Sequence, residues 1–114
     1  MAPGTCRHSA RAGLEAVATA LDALIAAFHS ASLAGPPGEK LDAALDRARA
    51  QVAAAAETTD VRVRRRSLRD AKAVLGDVSR AFQSLVRSGK IQADAGLRLL
   101  DLSRGTRALI RRQG

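Results

Sequence analysis

The sequence predicts an all-α fold, an antiparallel up-down-up-down four-helix bundle, and three observations carry that prediction. Of 114 residues, 53 are hydrophobic, but 25 of these are alanine and only 27 are Val, Ile, Leu, Met or Phe. Alanine and leucine dominate while β-branched and aromatic residues are scarce, which disfavours a β-sheet fold. Four segments repeat apolar residues at helical spacing, and short joints between them favour antiparallel neighbours. We expect one domain over residues 1–114.

The first two predicted helices span residues 9–31 and 39–57. The apolar stripe of the first consists of Leu14, Val17, Leu21, Leu24, Ile25 and Phe28. Segment 34–38 ends it, because its two prolines lack an amide hydrogen and its glycines free the turn. Acidic Glu39 and Asp42 suit the N-terminus of the second helix. The stripe of the second helix consists of Leu41, Leu45, Ala48, Val52 and Ala55.

Two starts compete for the third helix. A start after Asp60 places Arg64 on the apolar face, where a guanidinium without a partner is costly. Ser67 followed by Asp70 resembles a capping box, so we expect a basic connection over 58–66 and a helix over 67–88. Its stripe consists of Leu68, Ala71, Leu75, Val78, Phe82 and Leu85.

Gly89 suits the left-handed turn that closes many helices, and it separates the third helix from a fourth over residues 92–112. The predicted stripe of this last helix consists of Ala95, Leu99, Leu102, Thr106 and Leu109, with Ile110 beside it.

The net charge of +8 is concentrated in the second half of the chain. Residues 1–57 carry five basic and six acidic side chains, whereas residues 58–114 carry fourteen and five. Sixteen of the nineteen basic residues are arginine, whose planar fork of donors pairs with phosphate in two-point geometry. This asymmetry favours a polyanion partner. An arginine-rich surface from a GC-rich genome is the alternative.

Two arginine clusters are the candidate nucleic-acid-binding residues. The first, around the entrance to the third helix, consists of Arg62, Arg64, Arg65, Arg66 and Arg69. The second, on the fourth helix, consists of Arg104, Arg107, Arg111 and Arg112. Helical spacing places the first three of the second cluster within about 60° of one another, opposite the predicted stripe. A solvated basic loop and ordinary helix-dipole complementarity are the respective alternatives.

The other charged and aromatic residues receive structural assignments. Arg47 and Arg49 are expected to be balanced by Asp42 and Asp46 on the same helix. Phe28 and Phe82 fall on apolar stripes, so base stacking on aromatic side chains is not expected. Binding to RNA or DNA should therefore depend on phosphate contacts, with weak sequence preference.

The sequence contains no recognisable catalytic or metal-binding constellation. Cys6 has no disulfide partner, and Cys6, His8 and His29 lack the paired spacing of metal ligands. The carboxylates are scattered, so we expect no enzyme activity and no cofactor. The apolar run 17–28 is interrupted by Asp22, and residues 1–9 lack a secretory signal pattern. We therefore expect a cytoplasmic protein without a membrane span.

The layout resembles a family of bacterial four-helix-bundle proteins encoded within ribosomal RNA intervening sequences, with relatives among the accessory variability determinants of diversity-generating retroelements. The matching elements lie between Leu14 and Ile110. They are a basic pair before small residues at 47–52, an acidic turn at 56–58, an arginine-serine entrance at 63–67, Gly89-Lys90-Ile91, Leu99-Leu100 and residues 107–110.

The resemblance implies a homopentameric barrel that binds a reverse transcriptase and its template RNA. A ring-like homo-oligomer is also expected because a small domain with few large apolar side chains has a thin core. The leading hypothesis is a nucleic-acid-binding accessory protein. The alternative is a helical protein–protein adaptor without nucleic-acid affinity.

Overall fold

The computed structural model describes residues 2–31, 33 and 35–113, with side chains described from residue 13 onward. Four helices follow one another, α1 (Ala2–Ser30), α2 (Pro36–Glu57), α3 (Val61–Arg87) and α4 (Ala93–Gln113). The pairs α1–α2, α2–α3, α3–α4 and α1–α4 are in contact, so the helices form a closed square. Short joints make each neighbour antiparallel to the next, which confirms the predicted up-down-up-down bundle. The bundle measures 53 × 21 × 18 Å.

The predicted apolar stripes of the first three helices form the core. All six predicted positions on α3 and all five on α2 are buried, as are those on α1 except Ile25, which is half-buried. Phe28 and Phe82 meet in this core with ring centroids 6.1 Å apart, which confirms their structural assignment. Ala48, Ala55 and Ala71 are fully buried, so the helix backbones approach closely where these small side chains lie.

The predicted stripe of α4 is wrong in its orientation. Gly96, Leu100 and Ser103 are buried with Leu99, Thr106 and Ile110, whereas Ala95, Leu102 and Leu109 are only half-buried. The face is turned toward Ser103 because that hydroxyl has partners across the α3–α4 contact. Ser79 Oγ donates to the Leu75 carbonyl at 2.9 Å, and the hydroxyls of Ser79 and Ser103 are hydrogen-bonded to each other. With these hydrogen bonds a small polar residue is tolerated in the core.

The joint between α3 and α4 forms as predicted. Gly89 has φ 71°, in the left-handed region that favours glycine. The Gly89 amide donates to the Val86 carbonyl at 3.2 Å, and the Lys90 amide donates to the Leu85 carbonyl at 3.0 Å. This pair of hydrogen bonds is the Schellman arrangement, which satisfies carbonyls at a helix C-terminus.

Two helix starts precede their predicted positions. α1 begins at Ala2 rather than Ser9, and the side chains of Cys6 and His8 lie outside the described residues. α2 begins at Pro36 rather than Glu39, because proline suits the first helical turn and Gly35 (φ 89°) allows the chain to enter it. By length and composition alone, segment Gly13–Ser30 of α1 could cross a membrane, with mean hydropathy 1.2, which is weak evidence because core helices of bundles share these properties. Its buried positions face the core of the bundle.

Candidate nucleic-acid interface

The entrance to α3 differs from the prediction, and this changes the first arginine cluster. The helix begins at Val61, because Asp60 caps it: one carboxylate oxygen accepts from the Arg62 amide at 2.8 Å and from the Val63 amide at 3.4 Å. Residues 61–66 are therefore helical rather than a basic connection, and Ser67 lies inside the helix. The cluster is held on a rigid helical surface.

Arg64 differs from the other four arginines of this cluster. It is half-buried on the core side of α3, as an early helix start requires. Its Nη2 donates to the Thr58 carbonyl at 3.1 Å, so the guanidinium has a hydrogen-bond partner in the turn before α3. Its Nε is buried and lacks a hydrogen-bond partner among the described residues. The Arg64 side chain therefore links α3 to the turn between α2 and α3. The other four arginines of the cluster are exposed, namely Arg62, Arg65, Arg66 and Arg69.

The exposed arginines continue as a row along α3. At about 100° per residue, the four exposed arginines of the first cluster share one side of the helix. Further along, that side also carries half-buried Lys72 and exposed Arg80 and Arg87. Arg80 is ion-paired with Asp77, which lies on the edge of the row away from α4. No proline occurs between residues 61 and 87, so the row follows an uninterrupted helix.

The second cluster lies beside this row rather than opposite the apolar stripe. The guanidinium of Arg107 covers Gly76 of α3, since a Cβ atom at Gly76 would lie 3.6 Å from Arg107 Cζ. Arg104 and Arg111 are exposed, about one turn on either side of Arg107 and within about 60° of it around α4. The rotation of α4 toward Ser103 is what brings these three arginines next to α3. Exposed Arg112 projects from a different side of the helix.

The two clusters thus merge into one surface, here called the α3–α4 basic face. It consists of Arg62, Arg65, Arg66, Arg69, Lys72, Arg80 and Arg87 of α3 with Arg104, Arg107 and Arg111 of α4. Sequence reasoning missed Lys72, Arg80 and Arg87 because they are isolated in the sequence. Their spacing from Arg62, Arg65 and Arg69 on a common helix side was the signal that could have found them.

The opposite half of the bundle, built from residues 1–57, carries almost no net charge, with five basic and six acidic side chains. Residues 58–114 hold fourteen basic and five acidic side chains. Arg49 Nε donates to Asp22 Oδ1 at 2.8 Å, and His29 Nε2 lies 2.8 Å from Asp42 Oδ1. The partners of these α2 residues are on α1, so the predicted pairing of Arg49 within α2 is wrong. The excess of positive charge is therefore concentrated on the α3–α4 hairpin.

The α3–α4 basic face has side chains that can bind phosphate, but no aromatic side chain on which a base could stack. The sequence has no Trp or Tyr, and both phenylalanines are buried. The large apolar side chains exposed in the described part of the chain are Val61, Val63 and Leu97. Among the described residues, no group of three or more His, Cys, Asp or Glu side chains is placed to hold a metal ion. Guanidinium groups on this face can bind phosphate oxygens through paired N–H donors.

Comparison with known proteins adds no relative. No family model, curated protein or solved structure matches this chain.

Proposed function

We propose that this protein is a nucleic-acid-binding accessory protein that holds the phosphate backbone of RNA or DNA on the α3–α4 basic face. The observation that supports it best is the merging of two arginine clusters, distant in the sequence, on neighbouring helices. Arginine is favoured for phosphate because its donors are planar, always charged and able to form two parallel hydrogen bonds. Ten basic side chains on one face give a positive potential that attracts a polyanion.

The salt dependence of binding tests this proposal directly. Each phosphate neutralised on a duplex contributes about −0.9 to the slope of log K against log salt concentration. Replacing Arg65, Arg66 and Arg69 together by Ser should therefore flatten the slope by about 2 to 3. These three residues are exposed and outside the core, so the bundle should stay folded. A fluorescence-anisotropy titration of a labelled nucleic acid at several salt concentrations measures the slope.

A charge-matched control removes three cations from other surfaces. Arg49 of α2 is paired with Asp22 of α1, Arg98 of α4 lines a groove beside α1, and exposed Arg112 projects from a different side of α4. Their joint replacement by Ser lowers the net charge equally but should leave the slope within about 1 of the parent value. Equal slopes for the two triple variants would reject the proposed site. If the parent protein shows no salt-dependent binding, nucleic-acid binding itself is rejected and the protein–protein adaptor remains as the hypothesis.

Self-association and a protein partner form a second part of the proposal. Alanine-rich helices and an exposed Leu97 give the bundle surfaces on which another subunit could pack closely. We propose that the protein assembles as a homo-oligomer. The family resemblance suggests five subunits and a reverse transcriptase as the protein partner. Light scattering that finds a stable monomer at micromolar concentration would reject the oligomer.

A further inference from the structure

We infer that the α3–α4 basic face binds the backbone of a double helix, over about one turn, in preference to a single strand. The inference rests on the proposed function and specifies the form of nucleic acid bound. Three observations carry it, namely the straightness of the row, its length and the absence of exposed phenylalanine, tyrosine and tryptophan.

The row of basic side chains on α3 is straight and rigid. It runs along one uninterrupted helix, braced by α2 and α4 on either side. A duplex has a persistence length of about 50 nm, so it is already straight over the length of this helix. A single strand would have to be extended and ordered to follow the same row, at a cost in conformational entropy. The face is therefore preorganised for the stiffer ligand.

The length of the row corresponds to about one turn of a duplex. Arg62 and Arg87 are 25 residues apart, which is about 38 Å along α3 at 1.5 Å per residue. A duplex of about 11 base pairs covers that distance at 3.4 Å per base pair. Arg104, Arg107 and Arg111 broaden the middle of the row from the side of α4.

The side-chain composition disfavours a single strand. Proteins that bind single strands without sequence preference obtain about 1–3 kcal/mol per base from stacking on aromatic side chains. Phe28 and Phe82 are in the core, and the chain contains no other Phe, Tyr or Trp. What the face offers is charge, and a duplex presents at least about twice as many phosphates per unit length as a single strand.

A direct test compares duplexes with unpaired strands of the same length. The probes are labelled DNA and RNA hairpin stems of about 18 base pairs, with oligo(dT) and oligo(U) as unstructured strands. The full chain should bind a stem at least about tenfold more tightly than the matching strand, in the DNA arm, the RNA arm or both. Strands that bind as tightly as stems in both arms would overturn the inference and leave the proposed function intact. Absence of salt-dependent binding to every probe would reject both.

The length of the contact is tested with shorter stems and a distal variant. Affinity per binding register should rise with stem length and level off near about 11 base pairs. Replacing Arg80 and Arg87 by Ser should weaken binding to stems of about 18 base pairs severalfold, and stems of about 6 base pairs much less. The control replaces Arg49 and Arg98 by Ser, two cations that lie beside α1. An equal loss on long and short stems would contradict a site that extends along the whole of α3.

Discussion

The guanidinium of Arg107 on α4 lies across Gly76 on α3, with 3.6 Å between Arg107 Cζ and the position that a Cβ atom of Gly76 would occupy. The contact is an ordinary van der Waals distance, so a side chain at Gly76 is tolerated. Because Arg107 belongs to the α3–α4 basic face, this contact also shows that position 76 lies in the middle of that face. A single substitution there can change the charge of the face without opening the core.

Gly76→Glu should weaken nucleic-acid binding about tenfold at moderate salt, because the new carboxylate repels phosphate and pairs with Arg107. Gly105→Glu is the matched control. Gly105 is an exposed helical glycine on α4, a Cβ there meets nothing within 4 Å, and it lies on the side away from α3. The two variants have the same net charge, so anisotropy titrations should separate position from charge. Equal losses would show that binding follows net charge alone.

Arg62 is expected to favour binding at the expense of stability. It lies in the first turn of α3, where the positive end of the helix dipole disfavours a cation and no acidic residue is present. Arg62→Glu should therefore raise the free energy of unfolding by about 0.3–1 kcal/mol while weakening nucleic-acid binding. Urea titration and anisotropy on the same samples measure the two effects. A variant that loses both stability and affinity would contradict the assigned role.

The start of α3 can be tested by comparing two capping candidates. Asp60→Ala removes the acceptor for the Arg62 and Val63 amides and should cost about 0.5–2 kcal/mol of unfolding free energy. Ser67→Ala should cost less than about 0.5 kcal/mol, because Ser67 lies inside the helix and alanine is the better helix former. Asp60→Asn, which keeps an acceptor oxygen, should restore most of the loss. A larger effect at Ser67 than at Asp60 would return the helix start to the later position.

Close packing of α3 and α4 near their joint depends on Gly96. A Cβ atom there would collide with Cγ2 of Val86 and lie 3.3 Å from Cγ2 of Ile91. Both neighbours are stiff β-branched side chains, so Gly96→Ala should destabilise the bundle by about 1–3 kcal/mol. Gly105→Ala, with open space around it, should instead stabilise by about 0.5–1 kcal/mol. Thermal or urea unfolding of the two alanine variants should therefore move in opposite directions.

The sequence predicts the architecture because the core of this protein obeys helical periodicity. Every position of the predicted stripe on α3 is buried, from Leu68 to Leu85. The predicted start of α3 is wrong because the sequence pattern does not show that half-buried Arg64 has a hydrogen-bond partner, the Thr58 carbonyl in the turn between α2 and α3. Periodicity considers only hydrophobic residues. It therefore predicts the wrong buried face for α4, where Ser103 is buried and hydrogen-bonded to α3.

The candidate site was predicted in its parts but not in its arrangement. Arg62, Arg65, Arg66 and Arg69 are visible as a charge run, and their exposure follows from their positions on α3. That Arg107 joins them is a consequence of how α4 is rotated, which local sequence does not specify. Lys72, Arg80 and Arg87 become recognisable only once α3 is known to be continuous.

The unequal charges of the two hairpins have a consequence for how many nucleic-acid molecules one bundle can hold. A copy bound through α3 and α4 turns its α1–α2 side outward, where five basic side chains are balanced by six acidic ones over residues 1–57. That outward surface therefore lacks the excess of positive charge that would attract a second polyanion. Bound copies are therefore expected to coat one nucleic acid rather than to bridge two of them into an aggregate.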